Sequence, residues 1–130
     1  MKKIGILSDT HAVFDDKLKR FFDDVDELWH AGDFGSITTV DAIAEFKPLV
    51  GVFGNIDDAS TRRSFPRFQL FEREGARILM THIGGHPKRY EAGIEDMIRK
   101  YNPDIFISGH SHILKVINDK RLNLLHINPG

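Results

Sequence analysis

Residues 27–55 read ELWHAGDFGSITTVDAIAEFKPLVGVFGN. ELWHAGD is a short apolar run that ends in an acid, Asp33, and predicts a strand. SITTVDAIAEF places Val40, Ile43 and Ala44 at helical spacing behind Ser36, a suitable N-cap. PLVGVFGNIDD is a further apolar strand that runs out in Asn55 and two aspartates. Upstream, residues 3–7 predict another strand, ending in SDTH. DDKLKRFFDDV then predicts a helix with Leu18, Phe21, Phe22 and Val25 on one face and Asp15 or Asp16 as its cap. Strand, helix, strand, helix, strand is the pattern of a parallel sheet with right-handed crossovers. Ligands of such sheets sit beyond the carboxyl ends of the strands.

Beyond Asp58 the alternation gives way to hairpins. FQLFERE and RILMTH flank Gly75 and predict the first. RYEAGIEDMIRKY sets Tyr90, Ile94, Met97, Ile98 and Tyr101 on one helical face, ended by Asn102-Pro103. DIFISG predicts another buried strand, and LKVIND with LNLLHIN a last hairpin around Lys120 and Arg121. No linker, repeat or low-complexity run interrupts residues 1–130, so a single domain is expected.

The chain has 130 residues, 41% hydrophobic and 28% charged. That is ordinary for a globular domain with a modest core. Eighteen Lys and Arg against 19 Asp and Glu leave a net charge of -1. Nothing global attracts nucleic acid or an anionic membrane, so phosphate binding would have to be local. The absence of cysteine excludes disulfides, a thiol nucleophile and sulfur-ligated zinc. No apolar run approaches a membrane span, and the apolar stretch in MKKIGILSDT is too short for a signal peptide. A cytoplasmic protein without a membrane partner is expected.

The predicted strand ends collect one kind of residue. Asp9 and His11, Asp33, Asn55 and Asp57, His82, and His110 with His112 all follow apolar strands, and Gly32, Gly54, Gly84 and Gly109 stand beside several of them. His110 and His112 alone would read as an exposed polar strand end. Five strands delivering imidazole, carboxylate or carboxamide to one rim favour metal ligation instead. All of these groups except Asp57 would make a two-metal centre of nitrogen and oxygen donors. Such a set suits Mn2+, Fe2+, Co2+, Ni2+ or Zn2+ better than calcium. Two ions of this kind clamp phosphoryl oxygens and lower the pKa of a shared water.

In order along the chain, DTH at 9–11, GD at 32–33, GN at 54–55 with Asp57, TH at 81–82 and GHSH at 109–112 resemble the motifs of the calcineurin-like metallophosphoesterases. Length and spacing resemble their small bacterial and archaeal phosphodiesterase branch. The resemblance implies an α/β fold of two packed mixed β-sheets flanked by helices. Members commonly continue with further strands after NPG, so C-terminal strands are expected to be missing here. It implies one ion held by Asp9, His11 and His112, another by Asn55, His82 and His110, and Asp33 bridging them, with Asn55 also facing substrate. It implies hydrolysis of a small phosphate ester, a phosphodiester first, by a hydroxide bridging two divalent ions. Mn2+ is the leading metal, with Ni2+, Zn2+, Fe2+ and Co2+ as alternatives.

Two features depart from that pattern. Many relatives carry histidine after the Gly-Asn pair, where this chain has Ile56, which has no proton to give. General acid catalysis is typically worth roughly 10²–10⁴-fold, so a slower or choosier enzyme is expected, favouring esters with good leaving groups. Asp57 reads equally as a residue that orients ligands and as a turn residue. The stretch HIGGHPKRY suggests a loop over the site, in which His86, Lys88 and Arg89 are candidates for meeting substrate phosphate. The commoner outcome for such a loop is simple solvation.

Other signals are set aside. RRSFPRFQLFER interleaves four arginines with three phenylalanines. It reads as a connection and a strand with Phe68 and Leu70 inward rather than a stacking surface for nucleic acid. His30 and His126 lie in apolar strands and read as satisfied core residues or as supports behind the ligands, rather than as ligands themselves; Trp29 reads as core. DFG at 33–35 stands without the other kinase motifs. The rivals to a phosphodiesterase are a phosphomonoesterase and a non-catalytic protein-binding scaffold of the same fold. Apolar hairpin residues leave room for a homodimer.

Overall fold

The computed structural model describes residues 2–130. Ile4–Leu7 (β1), Glu27–His30 (β2) and Leu49–Gly51 (β3) pair in parallel in the order β1-β2-β3, connected by helices Asp16–Phe21 (α1) and Ile37–Phe46 (α2). A short helix, Ala59–Ser64 (α3), leads to the antiparallel pair Phe68–Arg73 (β4) and Ala76–Thr81 (β5). A small hairpin, Gly85–His86 (β6) with Arg89–Tyr90 (β7), precedes helix Ile94–Tyr101 (α4). Ile105–Ile107 (β8), Lys115–Asp119 (β9) and Leu124–Asn128 (β10) complete a mixed sheet in the order β4-β5-β8-β10-β9.

Period-two alternation sorts these strands into layers. In β2, Leu28 packs with Leu7, Phe22, Val40 and Ile43 under α1 and α2. Its neighbour Trp29 joins Val52, Ile78, Met80 and Ile107 between the two sheets. In β5 and β8, Leu79 and Phe106 face the other way, against Ile94 and Ile98 of α4. The outcome is helix, sheet, sheet, helix, which is the expected pair of packed sheets flanked by helices; the first sheet is wholly parallel and the second mixed. Glu27 ties the sheets together, its buried carboxylate accepting from Trp29 Nε1 and, at 2.9 Å, from Arg73 Nε.

Helix ends follow their capping residues. Asp15 accepts from Leu18 N and Ser36 from Thr39 N, while Asn102 closes α4 in the left-handed region at φ 48°. Four expected orientations are corrected. Phe21 is 75% exposed, because α1 ends there and the cap residue Phe22 turns into the core instead. Ala44 is exposed and Thr39 takes the buried position on α2. Leu70 points outward, because the covered face of β4 carries Gln69, Phe71 and Arg73, which reach Gly51 O, the Trp29 ring and Glu27. Tyr90 lies in β7 rather than on α4, since the helix starts only after Gly93 at φ 84°. Among the described residues no helix is long and apolar enough to cross a membrane.

His126, on β10, is fully buried between Phe106 and Tyr90, with its Nε2 3.0 Å from Ser108 Oγ. Burial, then the nearby Lys115 ammonium, pushes its pKa from 6.5 down to about 4. With the folded pKa depressed, the neutral ring's contribution to stability is complete above pH 6.5. It is lost as the pH falls toward 4, by up to about 3 kcal/mol. Urea unfolding of wild type and His126→Gln at several pH values should show a shallower acid loss in the variant. Equal slopes would remove His126 from the acid response.

Candidate metal centre

The carboxyl ends of β1, β2, β3, β5 and β8 lie along one rim. Here the loops interlock: Asp9 N donates to Gly32 O (2.9 Å), His11 N to Asp33 O (3.2 Å), and Gly109 N to His82 O (2.9 Å). Asp9, His11, Asp33, His110 and His112 all adopt positive φ, between 48° and 70°. That conformation costs a residue with a side chain roughly 1 kcal/mol or more, and such strain concentrates at functional sites. Glycines let the loops approach. A Cβ on Gly54 would fall 2.0 Å from Asp33 Oδ1, and one on Gly109 would fall 1.9 Å from Ser8 Oγ.

Each central carboxylate is anchored by one oxygen and offers the other. Asp9 Oδ2 accepts from Ser8 Oγ and from His110 N (3.0 Å), and Asp33 Oδ1 accepts from Ile56 N (3.0 Å). The free Asp9 Oδ1 lies 3.2 Å from His112 Nε2, 3.7 Å from His82 Nε2 and 3.8 Å from His11 Nε2. Asp33 Oδ2 lies 3.1 Å from His82 Nε2 and 3.7 Å from His11 Nε2. Two sets, Asp9–His11–His112 and Asp33–His82–His110, each bring their ligand atoms within 4.8 Å of one another. Asn55 joins the second, with Oδ1 3.1 Å from His110 Nδ1. All seven residues expected as ligands therefore meet at one place.

The donor set fits a cation. His82 Nδ1 is 2.7 Å from Ala31 O, and a carbonyl can only accept, so Nδ1 carries a proton and the neutral ring presents its lone pair at Nε2. Asp9 Oδ1 and His82 Nε2 are buried without a hydrogen-bond partner among the described residues. Buried lone pairs left unsatisfied cost roughly 1–3 kcal/mol each, and these converge on the same point. A divalent ion would satisfy them together.

Surrounding residues hold these candidate ligands in place. Asp57, 4% exposed, accepts from Asp33 N (2.9 Å), Gly35 N (3.1 Å) and Gly54 N (2.8 Å), so one carboxylate binds the loops after β2 and β3. Of its two readings, orientation of the ligand loops has the contacts. His30 accepts from Gly32 N at Nδ1 (3.0 Å), so its Nε2–H donates to Thr10 Oγ1 (3.0 Å), which in turn donates to Phe34 O (3.1 Å). Burial, then the His82 ring, lowers the His30 pKa to about 3 and keeps it neutral. Asn128 Nδ2 donates to Gly109 O and Ser111 Oγ, both at 3.0 Å, steadying the loop of His110 and His112.

Ile56 is 46% exposed and contributes only its backbone N–H. His86 and Arg89 are not brought to the cluster: they pair across the β6–β7 hairpin, and Arg89 lines a separate depression with Lys88, Glu91 and Glu95. Ser8, Asn128, Arg62 and Arg67 were not singled out from the sequence for this rim. Asp58 ahead of ASTRRS is the available signal for Arg62, as an N-cap opening a short helix beside Asn55.

A four-layer sandwich with carboxylates and imidazoles converging on one rim defines a class of metal-dependent phosphoesterases. The model of the calcineurin-like phosphoesterase superfamily domain matches residues 1–130, and the chain belongs to that family. A probable metallophosphoesterase of Methanothermobacter thermautotrophicus is 31% identical over 139 residues, covering 98% of this chain and 75% of that protein. Among solved structures, a protein described as a novel archaeal phosphodiesterase is 26% identical with a TM-score of 0.77, covering 100% of this chain and 84% of that one. Vacuolar protein sorting 29 from Cryptosporidium parvum superposes with a TM-score of 0.78 at 19% identity, over 98% of this chain and 72% of that one.

Proposed function

We propose that this metal-dependent phosphoesterase is a phosphodiesterase working with two divalent ions, Mn2+ first among them. The observation that carries this reading is the pair of buried, unpartnered lone pairs, Asp9 Oδ1 and His82 Nε2, facing a second free carboxylate oxygen on Asp33. Asp9, His11 and His112 would hold one ion, and Asn55, His82 and His110 the other. Asp33 Oδ2, within 4 Å of imidazoles from both sets, would bridge them. When bound, such ions polarise phosphoryl oxygens and activate water for in-line attack.

The chain's own residues account for the remaining requirements. The Ala31 carbonyl fixes the His82 tautomer, the Ser8 and Ile56 contacts aim the two carboxylates, and Asp57 fixes the loop spacing. Ile56 supplies no proton to a departing alkoxide, which favours esters whose leaving group departs as a stable anion. The substrate is a small phosphate ester that reaches an open rim, where His11, His110 and His112 are exposed.

Turnover of an aryl phosphodiester and its matching monoester by metal-stripped protein, with Mn2+, Ni2+ or Zn2+ added back, tests the reading. Diester hydrolysis that needs the metal and disappears in His110→Ala is expected. Monoester turnover alone would reassign the enzyme as a phosphomonoesterase. Tight metal uptake without turnover of either ester would favour the scaffold reading, for which the exposed Ile113, Leu114, Val116 and Ile117 offer an apolar surface.

A further inference from the structure

Beside the Asn55 and His82 end of the rim lies a cavity of about 260 Å³, lined by Phe53, Asn55, Arg62, Arg67, His82 and Ile83 among others. Its walls carry two guanidinium groups and no carboxylate. Arg62 is held in place: Nε donates to Asp57 O (2.8 Å), Nη2 donates to Asn55 O (3.2 Å), and the group stacks on the Phe53 ring at 5.0 Å. Arginine has five N–H donors, so about three remain free on Arg62.

Arg67 is placed by the sheet. The antiparallel register pairs Phe68 with Thr81, and continuing it by one residue sets Arg67 opposite His82. Thr81 Oγ1 donates to Arg67 O at 3.3 Å, and the side chain lies over the Phe68 ring at 5.4 Å. Among the described residues it makes no ion pair. A pinned arginine and an uncommitted one face the same space next to the proposed ligands. Arginine forks match the geometry of phosphate and carboxylate oxygens. In a chain of net charge -1, this is local positive charge where an anionic substrate would need it.

We propose that Arg62 and Arg67 form a specificity subsite for a second anionic group of the substrate, separate from the scissile phosphate. The substrate class is then a phosphate ester whose other substituent carries a phosphate or carboxylate a few bonds away. The cavity has room for such a group and the short chain that joins it. This subsite rests on the phosphoesterase reading above and adds the part of the substrate that reading left open.

The test compares aryl phosphodiesters that differ only in the second substituent: a 2-phosphoethyl, a 2-carboxyethyl and a 2-hydroxyethyl ester. Wild type should favour a charged ester over the neutral one by roughly tenfold in kcat/KM, the value of one charge-assisted hydrogen bond. In Arg67→Gln that ratio should fall toward parity, with the loss in KM. The charged ester that is preferred identifies the anion. Equal use of all three esters, or a preference that survives Arg67→Gln, would overturn the subsite while leaving the phosphoesterase reading intact. No turnover of any of the three diesters would instead remove the phosphodiesterase reading. The subsite is then decided by titrating inorganic phosphate into the full chain without added metal and following the arginine Nε–H signals. Saturable shifts at Arg62 and Arg67 that vanish in Arg67→Gln support an anion site, and their absence overturns it.

Discussion

Asp33→Asn should abolish the response of this protein to divalent metal while making the metal-free protein more stable. In the wild type, Asp33 Oδ2 lies 3.1 Å from His82 Nε2, and with the His82 ring neutral, as metal ligation requires, both are acceptors. An asparagine keeps the bond from Ile56 N through its oxygen and turns an NH2 toward the His82 lone pair. That replaces a mismatched contact with a hydrogen bond worth about 1 kcal/mol. It also removes the negative charge that lies within 4 Å of imidazoles from both ligand sets. At a hundredfold excess of metal over its Kd, the wild type should gain about 2.7 kcal/mol and the variant little of that. Turnover should fall by roughly 10³-fold, since Lewis-acid stabilisation by bound metal is worth several kcal/mol. Calorimetry with and without Mn2+, alongside the diester assay, reads all three quantities. An unchanged metal-induced shift in Tm would take Asp33 out of the ligand set.

Asp57→Ala should carry the largest stability cost, because one side chain satisfies two buried N–H groups and a part-buried one on two loops. Removing it strands the Asp33, Gly35 and Gly54 donors at once. With roughly 1–3 kcal/mol for each unsatisfied donor, a loss of about 4 kcal/mol is expected after partial relaxation. The loops that present Asp33 and Asn55 would separate, and metal affinity should fall by roughly 10–100-fold. Asp57→Asn should recover part of both losses, since an amide oxygen can still accept two of the bonds. Urea denaturation and metal titration of both variants provide the check. A cost below about 1 kcal/mol for Asp57→Ala would return this residue to an ordinary turn.

Much of the fold was legible because its causes are local. Apolar runs ending in acids marked β1, β2 and β3, and helical spacing behind Ser36 and Asp15 marked α1 and α2, so the parallel arrangement followed from the order of elements. The hairpin around Gly75 was equally visible. Side chains at the margins were not. Phe21, Ala44 and Leu70 fit an apolar period but sit where a helix ends or where the opposite strand face meets the other sheet. Tyr90 continues the helical spacing of α4, yet Gly93 in the left-handed region interrupts it. The β6–β7 hairpin and α3 were too short for periodicity to register.

For the site, the sequence by itself determined the inventory: which strand ends carry Asp9, His11, Asp33, Asn55, His82, His110 and His112, and that the donors are nitrogen and oxygen without sulfur. Residue chemistry and strand-end position are properties of a few neighbouring residues, so they can be read directly. Tertiary structure alone decided what those residues do to one another. It brought Asp57 under the backbone of a loop 24 residues earlier and left Asp9 Oδ1 and His82 Nε2 without partners. It also carried Arg67 across a hairpin into the cavity that His82 lines, and set Arg89 in a separate depression. These outcomes depend on strand register and on how two sheets pack, which are set by the sum of many weak contacts between distant segments.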